Sequence, residues 1–249
     1  MSTLYLPVNA DTSLALSLPS TPAGAHALTL PCGAALWLLP QRAVWWPAAH
    51  MVFVADVHFG KAATFRRAGQ PVPHGTTADN LARLDAVLGA TGAEHLVFLG
   101  DFLHARSGAA DALWQQLLPW RQGHAKVQMT LVRGNHDAHA GEPPRGLNIE
   151  TVEEPWQPFS NALLLGSHHP QPRPGYTVLA GHWHPTVRLR GPARDTLQLP
   201  CFVLEPAAGD GALLVLPAFG AFTGTARLAL HAAAQRFAIA GSKVVPAPR

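Results

Sequence analysis

The chain has 249 residues, of which 48% are hydrophobic, so it can bury a full core and suits one large domain at least as well as two small ones. Its formal charge of +3, from 18 basic and 15 acidic residues, is compatible with phosphate-bearing partners but excludes a strongly basic tail. No apolar run approaches the roughly 20 residues that span a bilayer, and no signal-peptide pattern opens the chain, so we expect a cytoplasmic protein that is not bound to membranes.

The N-terminal region changes from polar to apolar within the first 46 residues. Residues 1–25 mix Ser, Thr, Pro and Asn and are predicted to form a loosely ordered leader. Apolar stretches at 34–39 and 43–46 then predict paired strands. We therefore expect a single domain that spans residues 26–249.

The next part of the chain alternates strands and helices. Runs of β-forming residues predict strands at 51–55, 96–99 and 129–132. Between them, apolar spacing and capping residues predict helices at 77–89 and 109–118. This alternation is typical of an α/β fold.

After Pro144 the pattern changes to short strands separated by Pro and Gly turns, with no convincing helix. The predicted strands lie at 148–152, 162–165, 177–180, 186–189, 197–204 and 212–216. A two-sheet β-sandwich flanked by helices, in the α/β class, accommodates both halves of the chain.

Residues that commonly bind metals stand in five short islands, and each island follows a predicted strand. In chain order the islands are Asp56-Val57-His58, Gly100-Asp101, Gly134-Asn135-His136-Asp137, Ser167-His168-His169-Pro170 and Gly181-His182-Trp183-His184. Polar residues at the carboxyl ends of several strands converge on one edge of a sheet, where α/β folds place their sites. The sequence therefore predicts one polar site at this edge.

The ligand types indicate which metals suit the site. Carboxylates, imidazoles and one carboxamide, without a thiolate, suit divalent ions such as Mn, Fe or Zn and disfavour an all-oxygen calcium site. Seven or eight candidate ligands are too many for one tetrahedral ion, whereas two ions roughly 3.5–4 Å apart that share a carboxylate use them all. Asp101 is the predicted shared carboxylate because it stands alone at its strand end.

The order of the five islands resembles that of the calcineurin-like metallophosphoesterase superfamily, over roughly residues 51–185. The resemblance implies that the first metal is held by Asp56, His58, Asp101 and His184, and the second by Asp101, Asn135, His168 and His182. It also implies that His136 is a catalytic histidine that protonates or hydrogen-bonds the leaving oxygen, with Asp137 orienting its imidazole. His169 stays open as an alternative to His168.

Longer segments are similar to the ligase-associated DNA damage response endonucleases. These segments are 56–73, beginning Asp-Val-His-Phe-Gly-Lys, 100–104 (Gly-Asp-Phe-Leu-His), 181–185 (Gly-His-Trp-His-Pro) and 216–224. The genes of those bacterial phosphoesterases accompany an ATP-dependent DNA ligase, a helicase and an exonuclease. The resemblance implies a two-metal phosphodiesterase, a nuclease that acts on DNA in a repair pathway with such partners, with Mn²⁺ as the expected metal.

Basic and imidazole side chains beside the islands predict where substrate binds. The candidate substrate contacts are Lys61, Arg67, His104 and Arg133. His104 faces substrate or stabilises a loop. Arg188, Arg190 and Arg194 follow the last island and either border the same groove or are solvated loop residues.

Two other functions are compatible with the fold. A phosphoesterase or pyrophosphatase for a small nucleotide or a lipid-linked sugar nucleotide would use the same chemistry; for acyl chains it would need an amphipathic insertion between islands, and the sequence shows none. A non-catalytic scaffold that has lost its metals would show degraded ligand positions, whereas all eight motif positions are intact.

Overall fold

This computed structural model describes residues 21–72, 75–104, 111–190, 195–220 and 230–248. Several sequence predictions lie outside these residues. They are the leader up to residue 20, the start of the predicted helix at 109–118, Arg194, and residues 73 and 221–224 of the segments that carry the finer resemblance.

The first sheet has seven strands that follow one another in chain order. They are β1 His26–Thr29, β2 Ala35–Leu39, β3 Ala43–Trp46, β4 Met51–Val54, β5 His95–Leu99, β6 Gln128–Val132 and β7 Glu150–Val152. Pairing is antiparallel from β1 to β4 and parallel from β4 to β7. Strands β4 and β5 are buried along their whole length, and apart from His95 at the start of β5 they are continuous apolar runs, as expected for strands covered on both faces.

The second sheet is formed by the later part of the chain. Its strands are β8 Leu164–Gly166, β9 Thr177–Ala180, β10 Thr186–Arg190, β11 Thr196–Pro206, β12 Ala212–Val215, β13 Gln235–Ala240 and β14 Lys243–Ala247. They are ordered β14-β13-β11-β12-β9-β8, and β10 pairs with the first half of β11 as a two-stranded ribbon. Strands β8, β9 and β12 are parallel.

Two expectations for the second half are corrected. The strand predicted at 148–152 becomes β7 and joins the first sheet, where Thr130 pairs with Glu150 in parallel register. Strands β13 and β14 were not predicted, because their Ala-rich and Val-rich sequences lack a clear alternation of polar and apolar residues.

Four α-helices lie between the strands of the first sheet in the described residues. They are α1 Lys61–Arg67, α2 Thr76–Thr91, α3 Asp111–Gly123 and α4 Asn135–Ala140. The helix predicted at 77–89 is α2. Helix α3 continues beyond the predicted end at residue 118, through Pro119, because the buried Arg121 donates to Leu147 O at 2.7 Å and so docks the last turn. Helices α1 and α4 are too short to show a helical period in sequence.

The core forms between the two sheets and beneath the helices. Phe53, Val97 and Leu99 of the first sheet face Leu179 and Phe202 of the second. On its other face the first sheet packs against the apolar sides of α2 and α3. The predicted two-sheet β-sandwich flanked by helices is therefore confirmed. In the part of the chain that the structure describes, no helix has the length and apolar character needed to cross a membrane.

Candidate active site

Backbone hydrogen bonds join the first two islands at the ends of β4 and β5. Asp56 N donates to Gly100 O at 3.2 Å, and His58 N donates to Asp101 O at 2.8 Å. The side chains of Asp56, His58 and Asp101 are almost completely buried. Two carboxylates and an imidazole are therefore held side by side at the carboxyl edge of the parallel strands.

Most of the predicted ligands have a backbone conformation that non-glycine residues rarely adopt. Five of the seven have φ between 47° and 68°, in the left-handed region: Asp56, His58, Asp101, His182 and His184. Such strain costs on the order of 1–3 kcal/mol per residue and clusters at functional sites, where the surrounding structure enforces it. The recurrence of this conformation across three islands marks the edge as a built site.

Glycines in the islands allow the loops to approach each other. A Cβ atom at Gly100 would lie 2.1 Å from the Nδ1 atom of His168, and Gly100 also has a φ of 76°. A Cβ atom at Gly134 would lie 2.5 Å from Asp101 N. Gly100 therefore allows loops of the two sheets to meet, and Gly134 allows the second and third islands of the first sheet to meet.

A first group of donors is formed by Asp56, His58 and His184, whose ligand atoms lie within 4.8 Å of one another. His184 Nε2 lies 3.4 Å from Asp56 Oδ1, and His58 Nε2 lies 3.7 Å from Asp101 Oδ2. Asp56 Oδ1 and both ring nitrogens of His58 are buried without a hydrogen-bond partner among the described residues. Because buried polar atoms are rarely left unsatisfied, these atoms fit a bound cation.

A second group of donors surrounds the fully buried His168. Its Nδ1 donates to Leu99 O at 3.1 Å, which leaves the lone pair of Nε2 facing the site. Nε2 lies 2.8 Å from Asn135 Oδ1, 3.1 Å from His182 Nδ1 and 3.5 Å from Asp101 Oδ1. A neutral imidazole and a carboxamide oxygen both offer lone pairs here, so their contact fits a shared cation.

The electrostatics of the site support the same interpretation. Burial and the neighbouring Asp56 raise the pKa of Asp101 to about 6. Burial, followed by the charge of Lys61 and nearby histidines, lowers the pKa of His58 to about 2, and burial also lowers the pKa of His168. Buried carboxylates that repel each other, next to imidazoles that stay neutral, form a donor set that divalent cations satisfy.

His136 lies in the first turn of α4, at the entrance to the site. Its backbone N donates to Asp101 Oδ1 at 2.9 Å, and its Nδ1 donates to the backbone oxygen of His104 at 2.9 Å. Its Nε2 lies 3.9 Å from Asp101 Oδ2, and the side chain is 39% exposed. The ring therefore presents Nε2 to the site while solvent can still reach it.

The expected contact between Asp137 and the imidazole of His136 is wrong. The carboxylate of Asp137 instead accepts hydrogen bonds from Gly134 N at 3.0 Å and Leu103 N at 3.2 Å. The physical reason is that the third residue of a helix is placed to bond back to the residue before its first turn. Asp137 therefore fixes the loop, and the carbonyl of His104 orients the imidazole.

Two of the predicted substrate contacts follow the first island on α1. The ammonium of Lys61 is half-buried: desolvation lowers its pKa, while the nearby carboxylates of Asp101 and Asp56 raise it. The structure thus brings Lys61 to the border of the donor groups. Arg67 lies at the exposed end of the same helix, further from them along the chain.

His104 also belongs to the site. Its ring stacks on that of His136, with centroids 5.0 Å apart, and meets His58 edge-on at 5.5 Å. Burial, with Lys61 and His136 as further causes, lowers the pKa of His104 to about 4. A neutral, half-buried imidazole therefore lines the wall between the first donor group and α1.

The expectation that Arg133 contacts substrate is not supported. Its guanidinium is engaged by the carboxylate of Glu142 at 2.6 Å and that of Glu153 at 2.9 Å. These two acceptors raise the pKa of Arg133 and compensate its charge. The residue holds neighbouring loops together rather than offering a free cation.

The arginines after the last island lie on the β10–β11 ribbon. Arg188 and Arg190 are exposed, and neither has an ion pair among the described residues. Arg188 pairs with Gln198 and Arg190 with Thr196, so both arginines lie on the same polar face of the ribbon. This face begins two residues after His184.

Two supporting residues were missed in the sequence. Glu154 binds the fourth island, and it could have been found because it closely follows a strand, as the islands do. Arg42 Nη1 donates to the carbonyls of Ala218 and Gly220, at 3.1 and 3.2 Å. Gly220 N in turn donates to Asp56 O, so Arg42 supports the first island indirectly, through Gly220. No sequence motif identifies Arg42.

Comparisons with known proteins agree with the geometry. The family model for calcineurin-like phosphoesterases matches residues 49–196, which include all five islands. Among solved structures, the nuclease MPE of Pseudomonas putida is 40% identical, over 90% of this chain and 100% of that chain, with a TM-score of 0.74. A comparison with curated proteins finds no match.

Two more solved structures are less similar. An Aquifex aeolicus protein of unknown function is 18% identical over 54% of this chain and 78% of its own, with a TM-score of 0.37. The Escherichia coli phosphoesterase Yfce is 16% identical over 78% of this chain and 96% of its own, with a TM-score of 0.39.

Proposed function

The chain belongs to the calcineurin-like phosphoesterase family of metal-dependent phosphoester hydrolases, and we propose that within this family it is a two-metal phosphodiesterase that cuts DNA. The position of Asp101 carries the proposal. Its Oδ2 faces His58 at 3.7 Å and its Oδ1 faces His168 at 3.5 Å, so one carboxylate stands between the two groups of donors. Such a shared carboxylate is what a pair of adjacent ions requires.

The proposed ligands come from both sheets. The first metal would be held by Asp56, His58, Asp101 and His184, and the second by Asp101, Asn135, His168 and His182. We propose Mn²⁺ as the metal, although Fe and Zn suit the same donors. His168 is preferred to His169 because its Nε2 faces Asn135 Oδ1 at 2.8 Å, whereas Nδ1 of His169 donates to Glu154.

When bound, two such ions generate a nucleophilic hydroxide from water and neutralise charge on the phosphoryl oxygens. His136 would act on the opposite side of the phosphorus atom. Because its Nδ1 donates to His104 O, the protonated ring presents an Nε2–H, which would pass its proton to the leaving oxygen as the P–O bond breaks. That Nε2 lies 3.9 Å from Asp101 Oδ2, so it faces the proposed metal site.

DNA is the proposed substrate for two reasons. The relative that is 40% identical over nearly the whole chain is a nuclease. Positive charge also follows the first island, at Lys61 and Arg67, and the last island, at the ribbon arginines, which suits a phosphate backbone. We place Lys61, Arg67 and His104 in contact with substrate, and we propose that residues 26–249 form the single catalytic domain.

The role in repair rests on the resemblance to the ligase-associated DNA damage response endonucleases. On that basis we propose a functional association with an ATP-dependent DNA ligase, a helicase and an exonuclease. The intact described segments at 56–72, 100–104 and 181–185 support the assignment.

Hydrolysis assays test the proposal directly. Chelator-stripped protein would be refilled with Mn²⁺ and given bis-p-nitrophenyl phosphate, p-nitrophenyl phosphate, and labelled single- and double-stranded DNA, with His136→Ala alongside. We expect cleavage of the diester and of DNA that depends on Mn²⁺ and on His136. Cleavage of the diester with DNA untouched would reject the nuclease and favour a small nucleotide or a lipid-linked substrate.

A further inference from the structure

One carboxylate organises the whole fourth island. Glu154 lies in the loop between β7 of the first sheet and β8 of the second. Its Oε2 accepts hydrogen bonds from Ser167 Oγ at 2.8 Å, His168 N at 2.7 Å and His169 N at 2.8 Å, and its Oε1 accepts one from His169 Nδ1. Three consecutive residues are thus tied to a single side chain.

The bonds to Glu154 are of the strong, charge-assisted kind. All four hydrogen bonds to this carboxylate are short, and hydrogen bonds to a carboxylate acceptor are roughly twice as strong as those between neutral groups. The loop conformation is fixed where two adjacent histidines must point in different directions.

The side chains of the two histidines in this loop have different partners. His168 points inward, with Nδ1 on Leu99 O and Nε2 toward Asn135 and His182. The ring of His169 lies only 4.7 Å from that of His182, yet its Nδ1 is held by Glu154. Without that bond, the imidazole of His169 would be available to compete with His168 for the second cation.

We propose that Glu154 is a positioning residue that selects His168 over His169 as a ligand of the second metal. The inference rests on the two-metal site of the proposed function. Glu154 makes no hydrogen bond to the first group of donors in the described residues, where Asp56 and His58 are held by the backbone of the second island. Loss of Glu154 should therefore weaken one metal site and spare the other.

The loop has a second attachment that should survive the loss of Glu154. Trp156 and Gly166 exchange two backbone hydrogen bonds of 2.8 Å, which keep the segment after β7 beside β8. A change at Glu154 is therefore expected to free the histidines without detaching the strand. This makes a site-specific test possible in the folded protein.

Glu154→Gln and its neighbour Glu153→Gln form a matched pair. Both remove one negative charge, but Glu153 is 78% exposed on its side chain and pairs only with Arg133 in the described residues. Manganese would be titrated into each chelator-stripped protein by calorimetry and followed by electron paramagnetic resonance. We expect Glu154→Gln to weaken the second site about 10- to 100-fold, as for other partners of metal ligands, and to show the spectrum of isolated Mn²⁺ rather than of a coupled pair.

Variants of the histidines test the selection itself. His169→Ala should bind two ions, as the unaltered protein does, whereas His168→Ala should lose the second ion. If Glu154→Gln keeps the second site within about twofold of Glu153→Gln, or if His169→Ala loses it, the proposal is overturned. Should Glu154→Gln fail to fold, Ser167→Ala removes one of the four bonds; unchanged affinity at the second site in that variant would also reject the proposal.

These measurements separate the inference from the proposed function. Metal titration and resonance spectra require no turnover, so a normal second site in Glu154→Gln would reject the positioning role and leave the nuclease intact. Two coupled ions in the unaltered protein, together with no cleavage of any diester, would reject the nuclease and leave the positioning role intact.

Discussion

The two sheets contribute to the site in different ways. Asp56, His58, Asp101 and Asn135 come from the first sheet, after β4, β5 and β6, and backbone bonds between the first two islands fix their loops. His168, His182 and His184 come from the second sheet, after β8 and β9, and they rely on contacts across the interface. His182 N, for example, donates to Asp56 Oδ2 at 2.9 Å.

The chemistry is divided in the same way. The first sheet supplies both carboxylates and the carboxamide, whereas the second supplies imidazoles alone. Most of the negative charge that a cation needs therefore comes from one sheet, and the other completes the coordination. A change at the shared Asp101 of the first sheet should affect both metals, whereas a change at one histidine of the second sheet should affect one.

The largest expected effect comes from Asp101→Asn on the first sheet. Because Asp101 stands between the two donor groups, the variant should lose both metals and about 10,000-fold in kcat, equivalent to roughly 5.5 kcal/mol of transition-state stabilisation. His182→Ala on the second sheet should lose one metal only. Metal content by mass spectrometry, with turnover of bis-p-nitrophenyl phosphate, measures both.

Asp210→Asn is a control for Asp101→Asn, because Asp210 is exposed and has a similar left-handed φ of 58°. It should keep two metals and full activity. An Asp101→Asn protein that still binds two ions would contradict the division of roles between the sheets.

His136→Ala should show that a first-sheet residue can act without binding metal. We expect both ions to remain and kcat to fall about 100- to 1000-fold, the range of a lost general acid. His139→Ala, one turn further along α4 and exposed, is the control and should leave kcat nearly unchanged. Loss of an ion from His136→Ala would assign this histidine to the metal site instead.

The β10–β11 ribbon of the second sheet carries two exposed arginines that are proposed to contact DNA. We expect the double variant Arg188→Ala, Arg190→Ala to raise KM for DNA about 10-fold, with KM for bis-p-nitrophenyl phosphate unchanged. A plot of the logarithm of DNA affinity against the logarithm of salt concentration should become less steep by about 2. Lys126→Ala is the control, since Lys126 is exposed just before β6, at the opposite end of the parallel strands. Equal loss with both substrates would show that the arginines act on folding or metals.

Arg42→Met should have the smallest effect, on stability. It would leave carbonyls of Ala218 and Gly220 without their donor, at a cost of about 2 kcal/mol, which lowers Tm by about 6 °C for a chain of this size. Scanning calorimetry would compare it with the exposed Arg145→Met. A Tm equal to that of the control would show that Arg42 is not needed to hold this segment.

The first sheet was easier to predict from sequence than the second. Islands such as Asp56-Val57-His58 directly follow unbroken apolar strands, and parallel strands bring their carboxyl ends to one edge regardless of the details of packing. The sequence therefore predicted the sandwich, and the structure brings all seven candidate ligands together. Helices α1 and α4 were missed because six or seven residues show no period.

Contacts between distant residues could not be predicted. Arg133 stands next to an island, but it forms ion pairs with Glu142 and Glu153 only because the loops after β6 and β7 meet. The hydrogen bonds of Asp137 depend on where α4 begins, and those of Glu154 depend on how the two sheets dock. Such partners follow from tertiary structure, whereas local sequence patterns report strands and their ends.

Anomalous scattering from crystals loaded with Mn²⁺ tests the central claim most directly. We expect two peaks roughly 3.5–4 Å apart. Asp101 would lie between them, with His58 and His184 on one side and His168 and His182 on the other. A single peak would contradict the two-metal site, and a second ion bound by His169 in place of His168 would contradict the ligand assignment.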